Sequence, residues 1–398
     1  MLIPQSIAYA TIVGLPPQAG LFAASIPLIV AAPFVSCPWL QTGPVALTSI
    51  LTYGALSAYK LETTEEMMGA AALVALIVGV TRFLLGAFRL GGFTKLLSRP
   101  VVLGFTTAAA ILIICSQLSK ALGATNAEPN VLYRSFVSLC DPSIWNDREI
   151  FIALIAGSVA WYSRKVHKLF PSILVAVVVA IFVSKFLPHP VETVGNLPGE
   201  FISLNVNLPL DKIGMLLLPG LIIAFVGFAE PASISMTLME EANREWSPNW
   251  ELCGGGMANI ASALVGGYPV GGSFSRTSIN RFAGSTTSWS GFFTGCIVLS
   301  LLCATPVLKA LPISALAAVI IVAVLRLLKF REIWEMAKDN WLHGAVAIFT
   351  LFVILWSTPR VDLGVLVGVT VGTCVKLWEK LGTNSSTGNN TKAPQSNQ

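Results

Sequence analysis

The sequence predicts an all-α membrane protein: fourteen transmembrane segments in two inverted repeats of seven, with two half-helices meeting at mid-membrane. Three observations carry this. The 398-residue chain is 54% apolar and only 11% charged, with a mean hydropathy of +0.74. Apolar runs recur along its length. Two short stretches that follow Gly- or Pro-containing sequence echo each other about 229 residues apart.

The charge count comes first. Soluble domains carry about 25% charged residues, so this chain has less than half the charge needed to cover a water-facing surface; a bilayer accounts for the deficit. The net charge of +5 sits in loops, as basic cytoplasmic loops require, and no basic-aromatic interleaving points to nucleic acid. The seven cysteines are scattered without a CxxC pair and mostly lie in apolar runs, as packing residues do. The three histidines are far apart and near segment ends, so neither a metal nor a cofactor is expected. Met1–Gln5 has no basic leader or small-residue cleavage site, so it is not a signal peptide. It lies within an apolar segment, as a truncated start would.

Runs able to approach or cross a ~30 Å hydrocarbon core fall at 1–13 (partial), 20–36, 67–88, 100–122, 149–163, 169–187, 213–237, 252–267, 287–305, 313–328, 342–357 and 361–380. The stretches 44–58 and 274–284 are too short to span alone and complete the fourteen. With alternating segments, Arg82, Arg89, Lys95 and Arg99 share a side with Arg164, Lys165, Lys168, Arg326, Lys329, Arg331 and Lys338. The positive-inside rule makes that side cytoplasmic. Loops 59–66 and 124–148, with Glu62, Glu65, Glu66, Glu128, Asp141 and Asp147, then face outward, and both termini face the cytoplasm. Residues 382–398 read as a disordered polar tail; its sequons at Asn384 and Asn389 are therefore expected to stay unglycosylated.

Thr42–Ile50 aligns with Gly271–Ile279, and upstream Pro4–Ile7 aligns with Pro231–Ile234. Seven segments separate the copies. An odd number makes the second copy enter from the opposite side, the inverted repeat of many secondary transporters. A half-helix beginning at mid-membrane leaves its first N–H groups unpaired, with roughly half a positive charge at that end. Two such ends facing each other make an anion site. Gly43-Pro44 and Gly271-Gly272-Ser273 suit these starts, because glycine allows a bend and close approach while proline breaks the preceding ladder. Around them, Ala46, Leu47, Thr48, Ser49, Ser273, Phe274, Ser275, Thr277 and Ser278 supply N–H and hydroxyl donors.

Arg276 and Glu230 are ionisable at membrane depth, where a functional role is the default reading. Arg276 stands where an anion would sit. Glu230, protonated beside a bound dianion and ionised against Arg276 otherwise, would link proton and anion movement. Gln5 and Tyr9 lie one helical turn apart; their spacing serves a pocket or ordinary packing equally.

The strings Ile3–Ala10, Gly14–Pro17, Gly43–Ala46, Leu97–Phe105 and Tyr268–Arg276 resemble the sulfate permease (SulP) family of anion transporters, which includes prestin. The resemblance runs from residue 1 to about 381. It implies a uracil permease-like fold of core (about 1–90 and 213–305) and gate (about 91–212 and 306–381), moving as an elevator. It places the anion at Gln5, Tyr9, Ser275 and Arg276, between segments three and ten. Glu230 resembles the glutamate associated with proton-coupled sulfate uptake in plant-type members. The family usually adds a cytoplasmic STAS domain after segment fourteen; this chain carries a polar tail there, which leaves dimer contacts and regulation open.

The expectation is a non-enzymatic secondary transporter, most simply a proton–sulfate symporter. Its partners are sulfate or a related anion, protons and membrane lipid, with a possible homodimer in a plasma or organelle membrane. Other readings are an anion exchanger, an uncoupled chloride or bicarbonate pathway, and a non-transporting motor or sensor. An intramembrane enzyme lacks a nucleophile–base or metal cluster, and a nucleobase carrier is disfavoured by the charge of Arg276.

Overall fold

The structure, a computed structural model, describes residues 2–57, 59, 61, 63–92, 99–124, 130–163, 170–195, 208–302, 309–358 and 361–387. The helices of the first half are α1 (Leu2–Val13), α2 (Pro17–Ala31), α3 (Ala46–Ser57), α4 (Thr64–Ala87), α5 (Arg99–Ala121), α6 (Val131–Cys140), α7 (Asp147–Ser163) and α8 (Ser172–Ser184). Those of the second are α9 (Ile213–Glu241), α10 (Pro248–Leu264), α11 (Phe274–Phe282), α12 (Trp289–Leu301), α13 (Ile313–Val324), α14 (Phe330–Asp339), α15 (Trp341–Trp356) and α16 (Val361–Thr387). Each of the fourteen expected segments corresponds to one of them. Thr64–Ala87, Arg99–Ala121, Leu210–Glu241 and Ile313–Asp339, the last running from α13 into α14, each hold a window long and apolar enough to cross a bilayer. Phe151, Leu154, Phe182, Phe293, Phe352 and Trp356 stand exposed on the outside, as lipid-facing residues would.

Local chemistry sets the helix ends. Thr63 caps α4 by accepting the Glu66 N–H at 3.2 Å, and Ser247 caps α10 by accepting that of Trp250 at 3.4 Å. Within α9, Pro219 has no N–H to offer the Met215 carbonyl, and the Tyr59 hydroxyl donates to that oxygen at 2.7 Å instead. Helices α4 and α10 cross closely at Gly79, where an added Cβ would lie 2.9 Å from the Gly256 carbonyl oxygen. Small residues at such crossings let helix backbones touch, and the resulting van der Waals contact holds membrane helices together.

The packing pairs come in matching couples. α4 lies along α10 as α12 lies along α2, and α5 lies along α15 as α13 lies along α7. Exchanging each helix for its counterpart in the other half turns one member of each couple into the other. Between the halves run two short strands, β1 (Thr42–Gly43) and β2 (Gly271–Gly272), paired antiparallel with Thr42 opposite Gly272 and Gly43 opposite Gly271. The local two-fold of that pair exchanges Thr42 with Gly271, so its register has the offset of about 229 found between the repeats.

Four sequence expectations need correction. Arg82 is not a loop charge but lies inside α4, 1% exposed. Its place within a turn or two of the segment end makes it look like a junction arginine in the linear sequence. The 124–148 loop contains α6, and the stretch after 328 contains α14. Both are ten-residue surface helices, too short to register as spans. α14 is polar on one face, with Arg331 Nε 2.7 Å from Glu335 and Lys329 paired to Glu332. Finally, α16 continues through 382–387 to Thr387, because adding a residue to an existing helix costs little compared with starting one. Residues 388–398 with Asn389, and Lys95, Arg164, Lys165, Lys168, Glu62 and Glu128, lie outside the described residues.

Candidate anion site

The paired strands end where α3 and α11 begin. The first backbone bonds of these helices are Ser49 N–H to the Val45 carbonyl at 3.1 Å and Thr277 N–H to the Ser273 carbonyl at 3.0 Å. The N–H groups of Ala46, Leu47 and Thr48, and of Phe274, Ser275 and Arg276, precede those bonds and have no acceptor inside their own helices. The crossing is tightened by Ser273 N–H donating to the Gln41 carbonyl at 3.2 Å, and by Gln41 N–H donating to Thr277 Oγ1 at 3.1 Å. Two helix N-termini, each with a positive dipole end, are thereby tied into one place.

Arg276 joins them. Its Nη1 donates to the Pro44 carbonyl at 2.9 Å and to Gln5 Oε1 at 3.4 Å, linking α11 to the start of α3 and to α1. Its Nε and Nη2 are buried without a hydrogen-bond partner. A buried donor left unpaired costs about 1–3 kcal/mol, and more when charged. A cationic, planar pair of N–H groups is well shaped for a tetrahedral oxyanion. Gly43 lies beside this group with φ +157°, a conformation that L side chains rarely adopt; an added Cβ would be 3.4 Å from Arg276 Nη2, in van der Waals contact. Tyr9 and Tyr268, both buried, lie within electrostatic range of the guanidinium.

The remaining expected residues are placed unevenly. Ala46, Leu47 and Thr48 are buried at the start of α3. The Thr48 hydroxyl donates to the Val45 carbonyl at 3.3 Å, and Ser49 donates to the same oxygen at 2.8 Å, so α3 offers backbone N–H groups rather than hydroxyls. Phe274 is 57% exposed and Ser275 is exposed too, on the open side of α11. Ser275 Oγ is 3.4 Å from Ser273 Oγ. Glu230 is partly buried on α9, immediately before Pro231 and within electrostatic range of Arg276. The expected Glu230–Arg276 ion pair is not found among those of the described residues, which include Arg281–Glu241, Lys329–Glu332 and Arg331–Glu335. The carbonyls of Pro44 and Gln5 satisfy Arg276 Nη1 in its place.

Sequence reasoning missed Arg82 and Asn259. The Asn259 side chain grips Val270 from both sides, accepting its N–H at 2.9 Å and donating to its carbonyl at 3.1 Å. Arg82 Nη1 donates to the same carbonyl at 3.3 Å. A lone arginine within an apolar run was a visible signal for Arg82. No metal-binding group of three or more His, Cys, Asp or Glu occurs among the described residues.

The pattern of the family described as sulfate permease matches residues 1–350. The chain is 33% identical over 385 residues to sulfate transporter 4.1, chloroplastic, of Arabidopsis thaliana, covering 93% of this chain and 55% of that protein. A probable sulfate transporter of Mycobacterium tuberculosis strain H37Rv is 30% identical over 391 residues, covering 96% of this chain and 68% of its own. The chain thus spans about half the length of the Arabidopsis relatives it matches. In structure it is similar to the transmembrane domain of a cyanobacterial bicarbonate transporter, BicA, with a TM-score of 0.80, 21% identity and 93% of each chain covered. The similarity to SLC26A9 has a TM-score of 0.85 at 20% identity, over 95% of this chain and 63% of the other. Identities this low speak for the fold alone, which is that of a multi-pass membrane protein. Since the family pattern spans most of the residues, including both half-helix starts, the chain belongs to the sulfate permease family, whose members are transporters and not enzymes.

Proposed function

We propose that this chain is the membrane domain of a secondary oxyanion transporter that carries sulfate together with protons. The observation that carries the proposal is Arg276: a buried guanidinium with two unpartnered nitrogens, Nε and Nη2, set where the N-termini of α3 and α11 meet. The unpaired N–H groups of Ala46, Leu47 and Thr48 complete a donor shell with Gln5, Tyr9, Phe274 and Ser275 around it. The names of the Arabidopsis and mycobacterial relatives favour sulfate over other oxyanions.

Glu230 takes the proton. With a dianion beside Arg276, a neutral Glu230 avoids like charges in a dry site; without it, an ionised Glu230 balances the arginine. The packing supports a core of α1–α4 with α9–α12 and a gate of α5, α7, α8, α13, α15 and α16. Contact between them runs mainly through α1, α3 and α9 on one side and α5, α8, α13 and α16 on the other. An elevator movement of core against gate carries the site across. Cytoplasmic termini, a homodimer and a plasma or organelle membrane belong to the same reading.

The test is uptake of radiolabelled sulfate into proteoliposomes with an imposed pH gradient, with chloride, bicarbonate, selenate and molybdate as competitors. Gradient-driven sulfate accumulation by the wild type is expected. Uptake in Glu230→Gln with unchanged dependence on the gradient would falsify the proton role. A chloride or bicarbonate flux that sulfate does not compete for would make the chain a different anion pathway.

A further inference from the structure

Arg82 is among the largest fully buried side chains of the described residues, and it has no part in the proposed anion and proton binding. Its Nε donates to the Ala224 carbonyl at 2.9 Å, Nη2 to Ile223 at 3.1 Å and Nη1 to Val270 at 3.3 Å. The Phe228 ring lies 5.9 Å from its Cζ. All three acceptors are neutral, and among the described residues no carboxylate lies within ion-pair distance. Carbonyl dipoles satisfy the donors without cancelling the charge, so a whole positive charge stays buried, an arrangement that is costly unless something uses it.

Its position connects it to the anion site twice. Val270 immediately precedes β2, so the Arg82 and Asn259 bonds to it hold the crossing from which α11 starts. A Cβ added at Gly227 would lie 2.8 Å from Arg82 Nη2 and 3.3 Å from Thr48 Cγ2. One glycine therefore separates the buried charge from the start of α3. A cation that the anion does not touch acts on it by charge alone, in proportion to the anion's own charge. At about 10 Å and an effective dielectric of ~20, that favours a monoanion roughly tenfold and a dianion roughly a hundredfold.

We propose that Arg82 is a positioning and charge-selectivity residue of the anion path, holding the β2 crossing through Val270 and favouring dianions over monoanions through its uncompensated charge. The inference rests on the site proposed above. The test uses two tetrahedral ions of different charge, sulfate and perchlorate, and compares their competition for uptake and their binding by titration calorimetry. Arg82→Lys keeps the charge but loses the fork, and Asn259→Ala loosens Val270 with no change in charge. Both are expected to weaken the two anions together and keep their affinity ratio. Arg82→Gln should cut the sulfate-to-perchlorate ratio about tenfold. Phe228→Glu, which sets a carboxylate beside the guanidinium, should do the same if Arg82→Gln does not fold. A ratio unchanged in Arg82→Gln or Phe228→Glu, in protein that still binds sulfate, overturns the role of Arg82 and leaves the anion site standing. A wild type that binds neither ion overturns both.

Discussion

Two arginines are buried among the described residues, and their surroundings differ in the one respect that separates a structural brace from a ligand-binding group. Arg82 spends Nε, Nη1 and Nη2 on three backbone carbonyls. Arg276 spends only Nη1, on Pro44 and Gln5, and keeps Nε and Nη2 buried and unpaired. The first is complete without a ligand and braces the crossing. The second is complete only when an acceptor arrives. A buried charge is therefore not by itself a binding group; the unmet donors are the signal, because each carries a desolvation cost that an anion would remove.

Among substitutions, those at Arg276 should show the largest effect. Arg276→Gln is expected to lower sulfate uptake about a hundredfold or more, since two charge-assisted hydrogen bonds contribute roughly 1.5–3 kcal/mol each. Arg276→Lys should recover only part of it, because an ammonium does not reproduce the planar fork. The thermal transition of the detergent-solubilised protein should be unchanged or raised in Arg276→Gln. A large drop there would mean that Arg276 is a brace like Arg82.

Arg82→Met should behave in the opposite way, with a clearly lowered thermal transition and weaker sulfate uptake. Unaltered melting would mean that Arg82 is not a brace. Between the two arginines, Gly227→Ala tests the contact of Arg82 with the α3 start. The new Cβ would fall 2.8 Å from Arg82 Nη2, so the guanidinium or α9 has to shift. A destabilisation of about 1–3 kcal/mol is expected, as for other overpacked sites, with reduced uptake. Wild-type uptake in that variant would show that the spacing is not used. The smallest effect belongs to Tyr59→Phe, which removes one hydrogen bond to the Met215 carbonyl. A loss of about 1 kcal/mol is expected, measured by thermal unfolding, with sulfate affinity unchanged.

The architecture was legible because its signals are periodic or repeated. Long apolar runs and sparse charge name the bilayer, and the echo of Thr42–Ile50 in Gly271–Ile279 names the repeat. The β1–β2 register carries the same offset, since paired strands related by a two-fold must exchange corresponding residues. Arg276 and Gln5 were also legible, the first as a charge at membrane depth, the second through family resemblance, and they meet at 3.4 Å. The short helices α6 and α14 were not, because ten residues give too little periodicity to stand out from a loop. Arg82 was misplaced for a different reason. A linear count reads an arginine near a segment end as a loop charge, whereas its depth depends on which helices cover it.

The membrane, the succession of segments and the two half-helix starts can be read along the chain, because hydrophobic length and Gly-Pro punctuation act locally. Only the tertiary structure decided which donors remain unpaired. Thr48 and Ser49 turn their hydroxyls onto Val45, Glu230 stands apart from Arg276, and Arg82 bonds three carbonyls while Arg276 keeps two nitrogens unmet. Hydrogen bonds are saturable and directional, so whether a polar side chain is spent or available is set by neighbours distant in sequence.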